Sequence, residues 1–205
     1  MNSLKFAVAL AASLVLVACK DSSTPASAAA TPAAAKSDTA AVSIPAIEAE
    51  AHGITVGSPM SARTVYVFFD PQCPHCAALW QAAKPLKSQA KFVWIPVRLL
   101  NNTSQTQGAA LLAAKDPVAA MDEHETAILA QQKGEVPGDS DAQKETVVKN
   151  TALFNRFGFQ SVPSIVAKHA QTGALVVHEG SLSTADLAGL LGLSAPAAPA
   201  AAAAK

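Results

Sequence analysis

One junction constrains this chain more than any other. Six β-branched or aromatic residues, Thr64, Val65, Tyr66, Val67, Phe68 and Phe69, lead within four positions to Cys73-Pro74-His75-Cys76. The first run reads as a buried strand. The second opens a helix reaching about Leu86, because Leu79, Trp80, Ala83 and Leu86 recur on one face. Pro74 suits the first helical position, where a missing N–H leaves nothing unpaired. Pro85 should interrupt the last turn.

Two cysteines at a strand-to-helix turn can close a disulfide across the two residues between them. The first also faces unpaired backbone N–H groups and the positive end of the helix dipole, both of which favour a thiolate. Cys73, nearer the surface, would attack; Cys76, deeper in the helix, would resolve the mixed disulfide. His75 would stabilise the Cys73 thiolate by dipole or charge, although any polar residue could fill that gap. Zinc would want four ligands, and there is no second cysteine pair. A c-type haem needs histidine directly after the second cysteine, where Ala77 stands. Neither a metal nor a cofactor is expected.

Elsewhere the chain alternates helix and strand signals. Phe92 to Leu100 reads as a strand weakened by Pro96, and Gly108 to about Gln132 as a helical insertion broken near Asp116-Pro117. Asp139 or Ser140 could cap a helix that runs to Phe157 and stops at Gly158. Ser164 to Lys168 and Leu175 to His178 flank a Gln171-Thr172-Gly173 turn and read as a hairpin. Ser183 caps a closing helix through Leu191. A strand-helix-strand unit, a helical insertion, a hairpin and a last helix make an α/β fold. His52, His124, His169 and His178 lack ligand spacing, so each is expected to be a surface or satisfied histidine. Glu123 and Glu125 fall in a polar helical stretch and are expected on a solvated face. There is no glycine-rich phosphate loop and no Gly-x-Ser-x-Gly elbow. Fifteen basic residues balance fifteen acidic ones, which argues against a nucleic-acid binder.

The ends are of another kind. Residues 1–19 read as an export signal, with Phe6 to Val17 too short to span a bilayer permanently. Leu16-Val17-Ala18-Cys19 resembles a bacterial lipobox, which would acylate Cys19; an ordinary cut within Ala26 to Ala30 is the alternative. Lys20, where Asp would retain a lipoprotein at the inner membrane, favours the outer membrane facing the periplasm. Residues 20–44 read as a flexible Ala/Pro/Ser-rich tether, residues 45–194 as the folded domain, and residues 195–205 as a low-complexity tail.

The Cys73-Pro74-His75-Cys76 motif, placed between strand and helix, is similar to that of thioredoxin-like proteins. Ser161-Val162-Pro163-Ser164 resembles their cis-proline loop, which packs beside the active disulfide. The resemblance implies that Val162 offers its backbone to an extended substrate and that Pro163 is cis, where spacing alone would favour a trans proline opening a strand. Residues 50–192 more specifically resemble the catalytic domain of the disulfide isomerases DsbC and DsbG. The match runs through Val65-Tyr66-Val67-Phe68, Asp70-Pro71, Trp80-Gln81-Ala82-Ala83-Lys84-Pro85, Ala109 to Ala114, Lys115-Asp116-Pro117 and Val136-Pro137. This family implies a thioredoxin-like fold with a helical insertion, a redox-active Cys73–Cys76 disulfide, protein thiols as substrates and an envelope redox partner. Three features depart from it. Residues 20–44 are too short and polar to supply its dimerisation domain, so a monomer is expected. His75 replaces an aromatic residue and Val162 a threonine, both as in the oxidase DsbA. The leading expectation is thiol-disulfide exchange of oxidant character. A DsbG-like isomerase or reductase of oxidised cysteines is the alternative within the class, and a membrane-tethered chaperone or binding protein the alternative outside it.

Overall fold

A computed structural model describes residues 40–132, 134 and 141–196. Cys19, Val136-Pro137, the proposed caps Asp139 and Ser140, most of the tether and most of the tail lie outside the described residues.

The expected junction organises the fold. β2 (Thr64–Phe69) is the middle strand of a five-stranded sheet in the order β1-β3-β2-β4-β5. It runs parallel to β3 (Lys91–Pro96) and antiparallel to β4 (Ser164–Lys168). β1 (Ile54–Gly57) pairs antiparallel with β3 at one edge, and β5 (Leu175–Glu179) antiparallel with β4 at the other. A strand covered on both faces must be apolar along its buried length, and β2 is from Val65 to Phe69, all of them buried. Val65, Val67 and Phe69 enter one core cluster with Leu79, Trp80, Trp94 and Leu187. Tyr66 and Phe68 enter a second, with Phe154, Phe157 and Phe159.

Helices supply both layers. α2 (Pro74–Ala83) buries Leu79, Trp80 and Ala83, and Pro85 ends it in a 3-10 turn, Lys84–Leu86, as its missing N–H requires. α6 (Thr184–Leu191) is capped by Ser183, whose side chain accepts from the Asp186 N–H. α5 (Asp141–Arg156) and α1 (Ile44–Glu50) cover the opposite face, through Leu153, Phe154 and Ile47. Ordered packing extends to Val42, and the Ala40 N–H donates to Arg156 O at 2.8 Å. The hairpin turn closes as expected, with Gly173 at φ +70.

Two boundaries move. β3 stops at Pro96 rather than Leu100: the Val97 N–H still reaches Phe69 O, but the N–H groups after it bond away from the sheet, Arg98 to Thr151 Oγ1, and Leu99 and Leu100 to Asp70 Oδ2. The insertion begins earlier than Gly108. α3 (Asn102–Ala113) starts where Asn101 accepts from the Ser104 N–H at 3.2 Å. The break at Asp116-Pro117 holds. Asp116 caps α4 (Pro117–Leu129) by accepting from Ala119 N–H at 3.0 Å.

Candidate active site

The cysteine pair sits at the carboxyl end of β2. Asp70, fully buried, shapes the approach. Its Oδ1 accepts from the Gln72 N–H at 2.8 Å, and its Oδ2 from the N–H groups of Leu99 and Leu100 at 2.8 and 2.9 Å. Its carbonyl accepts from Cys73 N–H at 3.0 Å. One carboxylate therefore ties the turn before the cysteines to the turn after β3.

Cys73 is the N-cap of α2, in extended backbone, with Pro74 in the first turn. Its carbonyl accepts from the N–H groups of Cys76 and Ala77 at 3.0 and 3.2 Å, so the helix begins on it. Both cysteines are free thiols. Cys73 retains 5% exposure and Cys76 none, while Pro74 and His75 face solvent.

This placement separates the two acidities. The Cys76 S–H donating to Cys73 is the main reason the Cys73 pKa falls from 9.0 to about 6. Backbone N–H groups of Cys76 and His75 add to it, against some desolvation, and the His75 charge contributes least. Burial pushes the Cys76 thiol well up, and the charges on Cys73 and Glu125 push it the same way. At neutral pH the pair is one thiolate beside one thiol.

The Ser161–Ser164 loop lies where its resemblance implies. The Val162–Pro163 peptide is cis. Cys73 Sγ lies 3.7 Å from Val162 O and, while protonated, donates to it. Glu179 fixes the loop from β5 by accepting from the N–H groups of Gln160 and Ser161.

The inserted helices form the rear wall, and here one expectation is overturned. Glu123 is exposed, but Glu125 is fully buried rather than solvated. Met121, His124, Glu125 and Ile128 are the buried stripe of α4. Their spacing of three, one and three is a helical periodicity; attention to polarity instead of period hides it. His124 Nε2 bonds Pro71 O at 2.7 Å, and burial lowers its pKa, so a neutral imidazole braces the turn. Gln72 Nε2 donates to Gln107 Oε1 at 2.5 Å, while Gln107 Nε2 donates to Gly134 O. Gly134 is needed there, since a Cβ would collide with the His124 ring.

Comparison with known proteins matches this architecture. The thioredoxin-like domain family covers residues 58–194. The chain is 32% identical over 120 residues to the thiol:disulfide interchange protein DsbG of Pseudomonas aeruginosa, spanning 58% of this chain and 47% of that protein. It is 34% identical over 128 residues to DsbC of Haemophilus influenzae, spanning 61% and 50%. The chain thus spans about half the length of these relatives. A periplasmic thioredoxin-like protein from Salmonella enterica shares the fold, with a TM-score of 0.56 at 16% identity over 68% of this chain and 88% of that one. A matched region that holds four of the five strands and the cysteine turn leaves one assignment: this chain belongs to the thioredoxin-like domain family.

Proposed function

We propose that this chain is a thiol-disulfide oxidoreductase of the bacterial envelope, working through Cys73 and Cys76 on protein thiols. The observation that carries the reading is the placement of two thiols in one helical turn, Cys73 at the N-cap and Cys76 fully buried behind it, which lowers the Cys73 pKa to about 6 and raises that of Cys76. A substrate thiolate attacks Sγ of Cys73 in the disulfide, and Cys76 leaves and takes up a proton. A second substrate thiolate then attacks the substrate sulfur of the mixed disulfide. Cys73 departs as a thiolate, and a low-pKa thiol leaves faster. Two electrons pass to the pair and the substrate gains a disulfide. The same steps run backwards reduce a substrate.

Val162 supplies a carbonyl beside Cys73 against which an extended substrate backbone can pair. His75 and Val162 favour oxidant character; the kinship with DsbG and DsbC supports isomerase or reductase action as the second reading. The DsbG kinship and the periplasmic neighbour support a periplasmic place, and the sequence around Cys19 supports an outer-membrane lipid anchor there.

The test is exchange with insulin and with a trapped substrate. Cys73→Ser should reduce turnover to background, and Cys76→Ser should accumulate mixed disulfides through Cys73. Faster alkylation of Cys76 than of Cys73 would reverse the roles and sink the mechanism. Mass spectrometry of the mature N-terminus checks the anchor: a diacylated Cys19 is expected, and an unacylated terminus beyond Ala26 would exclude it.

A further inference from the structure

The end of the sheet away from the cysteines has no part in the mechanism above. β2, about 20 Å long, separates that end from Cys73. Gly57, Lys91 and Thr64 stand abreast there, as do Lys168 and Leu175. Lys168 lies beside Thr64, one position past the Val65–Ala167 pair. Alternation along the strands puts Thr64, Lys91 and Lys168 on one face, that of Tyr66, Val93 and Val166. Arg63 joins them, its carbonyl accepting from the Lys91 N–H at 2.8 Å. Arg63, Lys168 and His169 line a cleft of about 470 Å³ with Ile44, Pro45 and Glu48.

The charge at this end is one-sided. Residues 57–64, 88–91, 168–175 and 190–194 meet here and contain no Asp or Glu, although the whole chain is neutral. Among the described residues Arg63, Lys91 and Lys168 form no salt bridge. The carboxylate in the cleft, Glu48, is engaged by the Tyr66 O–H at 2.6 Å. Lys87 stands at the margin, toward Asp122. Apolar side chains lie beside the cations: Met60 is almost fully exposed in the turn after β1, and Leu175 is half exposed next to Lys168. Cations interspersed with exposed apolar side chains match the boundary of an anionic bilayer, where the charges meet phosphates and the apolar tips enter the head-group layer. An acidic protein would match the charges and leave Met60 without a role.

We propose that this end of the domain rests on an anionic phospholipid surface, with Arg63, Lys91 and Lys168 toward the head groups and the cysteine pair held away from the membrane. The inference deepens the anchoring proposed for Cys19 and rests on it for the source of the lipid. Ile44 and Pro45 line the cleft, so a chain held at its N-terminus reaches the domain beside it.

Cosedimentation with vesicles tests this on the full chain carrying Cys19→Ser, which cannot be acylated. The vesicles are phosphatidylcholine, alone or mixed equally with phosphatidylglycerol. The anionic vesicles should bind the protein more tightly, and added salt should remove the difference. Arg63→Gln with Lys168→Gln should weaken binding to the anionic vesicles about 25-fold, about fivefold for each charge, and leave insulin reduction unchanged. Arg98→Gln, an exposed cation at the cysteine end, should leave binding as it was. If the double variant does not fold, Lys168→Gln alone decides, with its fivefold loss. Undiminished binding by these variants would overturn the proposal. So would a loss with Arg98→Gln instead, which would put the cysteine end on the lipid. Binding to soluble polyglutamate as tight as to the anionic vesicles would overturn it in favour of an acidic protein partner. An unacylated Cys19 in the protein from cells would end the anchoring reading and leave the vesicle results standing.

Discussion

The front and the rear of the cysteine site are built on opposite principles. In front, from Asp70 to Cys76, polar groups meet partners: Asp70 accepts three side-chain hydrogen bonds and Cys73 both gives and receives backbone bonds. Behind, on α3 and α4, polar atoms are buried without them. Ser104 Oγ, His124 Nδ1 and both oxygens of Glu125 have no partner among the described residues. Everything that lowers the Cys73 pKa comes from the front, whereas Glu125 at the rear raises that of Cys76. A satisfied network fixes geometry, and an unsatisfied one leaves charges free to respond to each other. The site needs both, because sulfur attack is directional and proton placement is electrostatic.

The sharpest way to break this contrast is to remove one anchor from each side. Asp70→Ala strands the N–H groups of Gln72, Leu99 and Leu100. Unmet buried donors cost about 1–3 kcal/mol each, less where water can reach them, so a loss of about 3–5 kcal/mol is expected. Ser104→Ala removes a buried hydroxyl that bonds nothing among the described residues and should leave stability within about 0.5 kcal/mol of wild type. Urea unfolding of the reduced proteins measures both. Equal losses would show that the rear wall is satisfied after all and that the contrast is false.

The same contrast explains what could be read from the sequence. The front is local: a β-branched run, a capping position, a proline at the first turn and two cysteines on one helix all fall within Thr64 to Ala83. Their meaning survives without knowledge of the fold. The Val162–Pro163 loop lies 89 residues from Cys73, and only its likeness to a known loop placed it there. The rear was harder because its buried faces are polar or small. Ser104, Gln107, Gly108 and Leu111 carry a helical spacing in α3 with a single large apolar side chain, so the start of that helix was hidden. Glu125 sits on the stripe set by Met121 and Ile128, yet its charge suggested solvent. β1 carries almost no hydrophobic signal, being an edge strand that buries Ile54 alone. Period was informative where hydrophobicity misled.

The smaller effects concern how the front divides its work on Cys73. The Cys76 S–H is the first cause of the fall to about 6 and the His75 charge the last, with backbone N–H groups between. Cys76→Ala should therefore raise the Cys73 pKa by more than one unit, whereas Cys76→Ser, which keeps a donor, should raise it less. His75→Tyr should produce the least change, in the direction of a weaker thiolate and a less oxidising disulfide, worth under about 30 mV or 1.4 kcal/mol. Alkylation of Cys73 by iodoacetamide against pH reads all three, since the wild-type rate should climb through about pH 6 and then level. Stability carries the same signature. The folded pKa lies below the ordinary 9.0, so the folded dithiol form binds fewer protons than the unfolded chain. Its added stability is fully present above pH 9, declines toward pH 6 and is lost as pH falls through it. The raised pKa of Cys76 acts in the opposite sense only above its unfolded value near pH 9, whereas that of Glu125 does so from its unfolded value of 4.5 upward, so the slope is shallower than Cys73 alone would give. Denaturant midpoints of the reduced protein from pH 5 to 9, taken against the disulfide form, should follow that curve. Cys76→Ala should flatten it and His75→Tyr should barely move it. A His75→Tyr effect larger than that of Cys76→Ala would mean that the exposed histidine governs the thiolate and that the buried thiol does not.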